Sequence, residues 1–236
     1  KLILLFNNII NNLEQNIRIN LTDFFEKISC AKKQKNQDII TTKLDDKIIS
    51  LRVIDTSPET IHLSTKWRQN NLKWFNSTFA PTEKKTNTWI ENTILKDPGR
   101  IVFMIYLDEK KIGQTGLDRY VTKDNSVDIS GTLKDPSVHD PRVMQYTRKA
   151  LLRWAFEYLD VSKVIFRVFS DNYRNINLIE RCGALTTNSI PMKKKNENNA
   201  SKWIEATLNS DDEFAERYLN IMEITKNNFS KNKIHW

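Results

Sequence analysis

Val164-Ile165-Phe166-Arg167-Val168-Phe169-Ser170-Asp171-Asn172-Tyr173-Arg174-Asn175-Ile176-Asn177-Leu178-Ile179-Glu180-Arg181-Cys182-Gly183-Ala184 sets an apolar run directly against a capped helix. Val164, Ile165, Phe166 and Val168 read as a buried strand. Asp171-Asn172 is a helix start, because a short polar side chain there accepts from first-turn amides that have no partner in the helix. The helix reaches Cys182, and Gly183 stops it, glycine taking the left-handed C-terminal position at little steric cost.

On either side of this unit the chain continues the alternation. Upstream, Asp140-Pro141 opens the strongest helix, a cap followed by a first-turn proline, with apolar residues at helical spacing through Trp154 to Leu159. Before it come three strands: Arg100–Leu107, a hairpin turn at Asp108-Glu109-Lys110, Lys111–Leu117, and Asn125–Leu133 with Val127, Ile129, Gly131 and Leu133 on one face. Earlier still, Ile48–Ile54 alternates as a strand. Ser57-Pro58 starts a helix through Trp67, and Thr82-Glu83 a shorter one that puts Trp89, Ile90 and Ile94 on one face. Downstream, Ala184–Pro191 is a strand leading into a Lys- and Asn-rich loop, and Leu219–Thr225 closes the sheet. A meander followed by strand–helix–strand makes an α/β (α+β) domain on one mixed sheet.

Residues 1–47 differ in composition and carry one amphipathic helix, Leu21–Ala31. They read as an extension or the tail of a preceding domain, ahead of a domain over 48–229 and a tail over 230–236. A first residue of Lys rather than Met suits something removed upstream. Leu2–Phe6 is too short and too soon broken by Asn7-Asn8 for a signal peptide or a membrane span.

The 236 residues are 39% hydrophobic and 28% charged, a globular composition. Cys30 and Cys182 form no CxxC pair and fit a reduced, cytoplasmic chain; with His62, His139 and His235 scattered, no metal site is expected. A net charge of +8 favours anionic partners. Lys and Glu/Asp are mixed throughout, however, so a nucleic-acid surface is not expected, and Lys193-Lys194-Lys195 is a solvated loop.

The opening stretch resembles the strand–Asn–helix–Cys-Gly segment of the GNAT superfamily of N-acetyltransferases. Three other places agree. Ile49-Ser50-Leu51-Arg52 resembles the opening strand of the subgroup that includes the ribosomal-protein acetylases (RimJ/RimL-like). Trp67-Arg68-Gln69-Asn70 resembles its Trp-Arg-Asn motif, and Lys111-Ile112-Gly113-Gln114 its Ile-Gly step. The resemblance implies the acyl-CoA N-acyltransferase fold, with acetyl-CoA as co-substrate in a notch between two parting strands and direct attack by an amine on the thioester.

By position the resemblance makes Asn125–Leu133 the parting strand, with Leu133 offering the amide to the thioester oxygen and Gly131 at a bulge or a close approach. The pyrophosphate loop is Arg142-Val143-Met144-Gln145-Tyr146-Thr147, which lacks every glycine of the family pattern; Arg148 and Lys149 add charge beside it. Asn172 and Asn175 approach the pantetheine arm, although Asn172 serves equally as a helix cap. Ile179 stands where many relatives carry a Tyr acid, leaving Tyr173 or Tyr146 as substitutes. Asp128, Asp118 and Glu109 are the carboxylates from which a base is drawn, Asp128 first. Trp67, Arg68 and Asn70 line the acceptor pocket. The acceptor implied is a small-molecule amine on a nucleotide-linked amino sugar. Acetylation of protein N-termini or other small amines, and a non-catalytic module on the same fold, are the alternatives.

Overall fold

The computed structural model describes residues 20–197, 200–206 and 215–231. Leu2–Phe6 and most of the 230–236 tail lie outside them. The described chain runs α1 (residues 20–33), β1 (Ile40–Leu44), β2 (Lys47–Val53), α2 (Pro58–Asn70), a 3-10 turn (Leu72–Trp74), β3 (Ser77–Thr78) and α3 (Glu83–Trp89) with a π-helical continuation (Ile90–Leu95). Then come β4 (Ile101–Leu107), β5 (Lys110–Val121), β6 (Ser126–Lys134), α4 (Pro141–Glu157), β7 (Lys163–Phe169), α5 (Tyr173–Glu180), β8 (Leu185–Glu197), β9 (Ala200–Glu205), β10 (Arg217–Thr225) and α6 (Lys226–Lys231).

One mixed sheet takes the order β1-β2-β4-β5-β6-β7-β10-β8-β9-β3. Its caps are those the sequence carries: Ser57, Thr82, Asp140 and Asn172 each accept a first-turn amide. Apolar side chains fill both faces. Phe24 and Ile28 of α1, Phe103 and Ile105 of β4 and Leu151, Ala155 and Phe156 of α4 share one cluster. Trp67, Ile90, Ile94, Val102, Met104 and Leu133 form the other. Residues 20–47, read as an extension, thus contribute a core helix and the first strand of this same body.

Two details differ from the sequence reading. Leu133 packs on the face opposite Val127 and Ile129. Gly131 takes φ +62° and two residues of β6 oppose one of β5 between Ser130 and Leu133, so the alternation slips by one. Lys193–Lys195 belongs to β8 rather than a loop, paired with Ile204, Trp203 and Lys202 of β9.

Candidate active site

β6 and β7 are the one parallel pair among the described strands. Their pairing runs from Ser126↔Lys163 to Ile129↔Phe166 and stops there, although β6 continues to Lys134 and β7 to Phe169. Beyond Ile129 the strands part. The bulge at Gly131 bends β6 away, and a Cβ on Gly131 would meet nothing within 4 Å. A cleft of about 910 Å³ occupies the gap. Asn70, Asn71, Trp74 and Asn76 line it on the α2 side, and Met144, Gln145, Asn172 and Asn175 on the α4–α5 side.

Asp128 sits one rung before the parting and is 3% exposed. Its carboxylate accepts from Arg167 Nε at 2.7 Å and Arg119 at 3.2 Å. Burial raises its pKa above the usual carboxylate range, although both arginines pull the other way. The carboxylate therefore holds a proton more readily than a surface Asp, the property a proton acceptor for an amine uses.

The backbone of β6 decides which amide faces the notch. Asp135 donates to the Ile112 carbonyl at 2.8 Å, and the register continues unbroken to Gln114↔Leu133. Bonded pairs alternate in an antiparallel ladder, so Leu133, two residues from Asp135, also turns its amide and carbonyl towards β5. Its carbonyl oxygen stands 2.4 Å from where a Cβ on Gly113 would lie, the same direction. By the same alternation Thr132 and Lys134 present their amides to the gap. The amide expected from Leu133 therefore passes to its neighbour, and Leu133 lines the cleft with its side chain.

Of the residues singled out from sequence, Asp128, Gly131, Leu133, Met144, Gln145, Arg148, Asn172, Asn175, Ile179 and Asn70 border the cleft. The others lie elsewhere. Val143 and Thr147 face the core, and the Thr147 hydroxyl donates to the Val143 carbonyl. Tyr146 packs against that core. Arg142 folds back on Asp140 and Asp45 at the surface. Tyr173 is 71% exposed and outside the cleft. Trp67 is fully buried and donates from Nε1 to Asp135 at 3.0 Å. Arg68 lies against the rings of Phe75 and Phe79, at 4.0 and 4.7 Å. A Trp-Arg pair on a helix beside the site is thus scaffold here. The resemblance placed it near the cleft but did not say which way it turns.

Sequence reasoning missed the cleft's other charged residues. Arg119, Lys134, Arg167, Arg174 and Arg181 border it, with Asp128 as its single carboxylate among the described residues. They come from β5, β6, β7 and the two ends of α5, and only the fold collects them. Asn172 caps α5 through its Oδ1, which accepts from Asn175 at 3.3 Å, so capping leaves its amide NH2 unengaged by that bond.

Coenzyme A is a thin pantetheine arm ending in phosphates, and this site meets both parts. The parted strands leave an edge with amides beside an open glycine, and the cations offset phosphate charge. Among the described residues no group of three His, Cys, Asp or Glu could hold a metal, and no helix is long and apolar enough to cross a membrane.

An acetyltransferase (GNAT) domain model matches residues 50–185, more than half of the chain. No curated protein matches the chain in sequence. Among solved structures, spermidine N-acetyltransferase from Vibrio cholerae, in complex with CoA and spermine, is 12% identical. That match covers 77% of this chain and 98% of the other with a TM-score of 0.61. A candidate acetyltransferase from T. thermophilus is 18% identical over 82% and 93% of the two chains, with a TM-score of 0.59. At these identities the likeness is one of fold.

Proposed function

From the premise that this chain belongs to the acetyltransferase (GNAT) family, we propose that it moves the acetyl group of acetyl-CoA onto the primary amine of a neutral or anionic small molecule, a nucleotide-linked amino sugar. Within the family we place it in the RimJ/RimL-like subgroup. The observation that carries the reading is the parting of β6 and β7 after Ile129↔Phe166, which leaves a cleft open to both faces of the sheet.

Acetyl-CoA supplies an activated carbonyl; the protein supplies position, charge and a place for the proton. The pantetheine arm lies along the free edge of β6, with the Thr132 amide directed at the thioester oxygen where negative charge grows during attack. Asn172, its Oδ1 spent on the helix, offers NH2 to an amide carbonyl of that arm. The acceptor enters from the α2 side past Asn70, Asn71 and Trp74. Its neutral amine forms the new C–N bond, the C–S bond breaks to release coenzyme A as a thiolate that takes its proton from water, and the amine's surplus proton passes to Asp128, directly or through water.

The lining favours this acceptor class over a polyamine. A polyamine is itself polycationic and would enter a cleft whose described lining holds one carboxylate against six Arg and Lys side chains, Arg119, Lys134, Arg148, Arg167, Arg174 and Arg181. A sugar nucleotide brings the opposite charge. Calorimetry with acetyl-CoA tests the co-substrate, and absence of heat at millimolar concentration overturns an enzymatic role. A thiol-release assay across nucleotide-linked amino sugars, N-terminal peptides and spermidine then tests the acceptor. Fastest turnover is expected on the sugar nucleotides, and a preference for spermidine or peptides overturns that choice.

A further inference from the structure

In the family's usual arrangement, phosphates meet backbone amides at the start of the helix that follows the parting strand. Here Pro141 has no amide to offer, and the chain itself already takes that of Arg142. Asp140 caps α4 by accepting the Arg142 amide at 2.8 Å, and its carboxylate also holds the Arg142 guanidinium at 2.8 Å. No glycine lies between Asp140 and Thr147 to let a phosphate close to the backbone. A carboxylate at this position repels a phosphate.

Two turns into α4 the sequence places an opposite charge. Arg148 is 4% exposed and borders the cleft. It donates to Asn175 Oδ1 at 3.0 Å and lies 5.4 Å from the Phe166 ring centroid, where β7 leaves β6. No carboxylate pairs with it among the described residues, and burial pulls the guanidinium down to about 10. Buried charges in proteins are normally paired, because the cost of desolvating them is otherwise uncompensated. Across the gap Lys134 and Arg174 add like charge, near enough that Arg174 helps lower the Lys134 pKa.

Resting on the acetyl-CoA reading, we infer that Arg148 is the anchor for the coenzyme's diphosphate, in place of the start of α4, where Asp140 already takes up the Arg142 amide. The anion completes a charge pair that the empty protein lacks. Asn175 holds the guanidinium in orientation, and Lys134 and Arg174 flank the phosphates.

Titration calorimetry on the full chain tests this with CoA, dephospho-CoA and pantetheine, alongside melting curves with inorganic pyrophosphate. R148Q is expected to weaken CoA and dephospho-CoA alike, on the order of a hundredfold, as truncating a buried charged contact does. Pantetheine, which has no phosphate, should bind it as it binds the parent. Pyrophosphate should raise the parent's melting temperature and leave that of R148Q unchanged. Equal CoA affinity in R148Q overturns the assignment. So does an equal loss for pantetheine, which marks packing, or a loss confined to CoA, which marks the 3′-phosphate. R148K covers the case in which R148Q does not fold: about tenfold weaker CoA with unchanged pantetheine is expected, and unchanged CoA overturns the assignment. A parent protein stabilised by pyrophosphate in an Arg148-dependent way, yet indifferent to CoA, would keep the diphosphate site and remove the acetyl-CoA reading.

Discussion

Arg167 Nε donates to the Asp128 carboxylate over 2.7 Å, a bond from β7 to β6 beside the last rungs before the strands separate. It fixes the cleft's one described carboxylate beside the point where the strands part, and it opposes the burial that makes Asp128 hold a proton. Replacing Asp128 by Asn keeps the shape and removes the base. D128N should lower kcat about 10²- to 10⁴-fold while CoA affinity stays within twofold. The acid limb of the parent's kcat profile, set by a carboxyl raised above 3.8, should disappear with it. The sign for stability follows. The folded state binds this proton more tightly than the unfolded chain, so Asp128 favours folding below the unfolded value and that contribution is lost as pH rises through the folded one. A kcat within threefold of the parent would remove Asp128 from the proton path.

Asn172 has two tasks that a pair of substitutions separates. Its Oδ1 caps α5, and Asp retains that acceptor while losing the NH2. N172D should therefore melt within a few degrees of the parent yet bind CoA about tenfold more weakly. N172A should lose the cap as well, costing about 1 kcal/mol. Undiminished CoA affinity in N172D would leave Asn172 a cap and nothing more.

Gly131 combines a left-handed backbone with open space where a side chain would stand. G131A should cost about 1–2 kcal/mol from conformation alone. G131N should cost less, since Asn tolerates φ above zero, while placing a side chain into the gap beside β6. Its KM for acetyl-CoA should rise severalfold at near-parental stability. A G131N enzyme with unchanged KM would show that the co-substrate keeps clear of the bulge.

Trp67 and Arg68 are the residues whose sequence motif promised acceptor binding and whose positions give packing. W67F removes the bond to Asp135 and part of a filled core, for about 2 kcal/mol of stability. R68M replaces a guanidinium whose buried Nε has no partner by an apolar chain against the same two rings. It should change stability by less than about 1 kcal/mol. Neither should alter the acceptor KM by more than twofold, and a large rise in either would return the motif to the site.

Those two residues mark the limit of what sequence alone carries. Elements were legible where local chemistry dictates them: Ser57-Pro58, Thr82-Glu83, Asp140-Pro141 and Asn172 are caps, and Gly183 ends α5. The parting strand and its glycine bulge were legible through the family resemblance. Side-chain direction was not. One extra residue in β6 moves Leu133 across the sheet, and ladder parity hands its amide to β5. The basic lining was invisible because Arg119 on β5, Lys134 on β6, and Arg174 and Arg181 at the two ends of α5 lie on stretches far apart in sequence, and net charge says nothing about which lysines and arginines converge.

Lys32, at the end of α1, reaches the carbonyls of Ile94 and Asp97 at 2.7 and 2.5 Å, closing the π-helical continuation of α3 with a cation. Burial lowers its pKa from 10.5 to about 8, with Asp97 pulling the other way. Below pH 8 the folded and unfolded chains both carry the proton, and the desolvation cost is complete. Between about 8 and 10.5 the unfolded chain still holds a proton that the folded chain has released, so stability from this group rises with pH. Urea denaturation at pH 8 and pH 10 should show the parent gaining relative to K32M, whose buried methionine has nothing to titrate. An identical pH dependence in the two proteins would mean that the Lys32 ammonium keeps its charge in the fold, held by the carbonyls it caps.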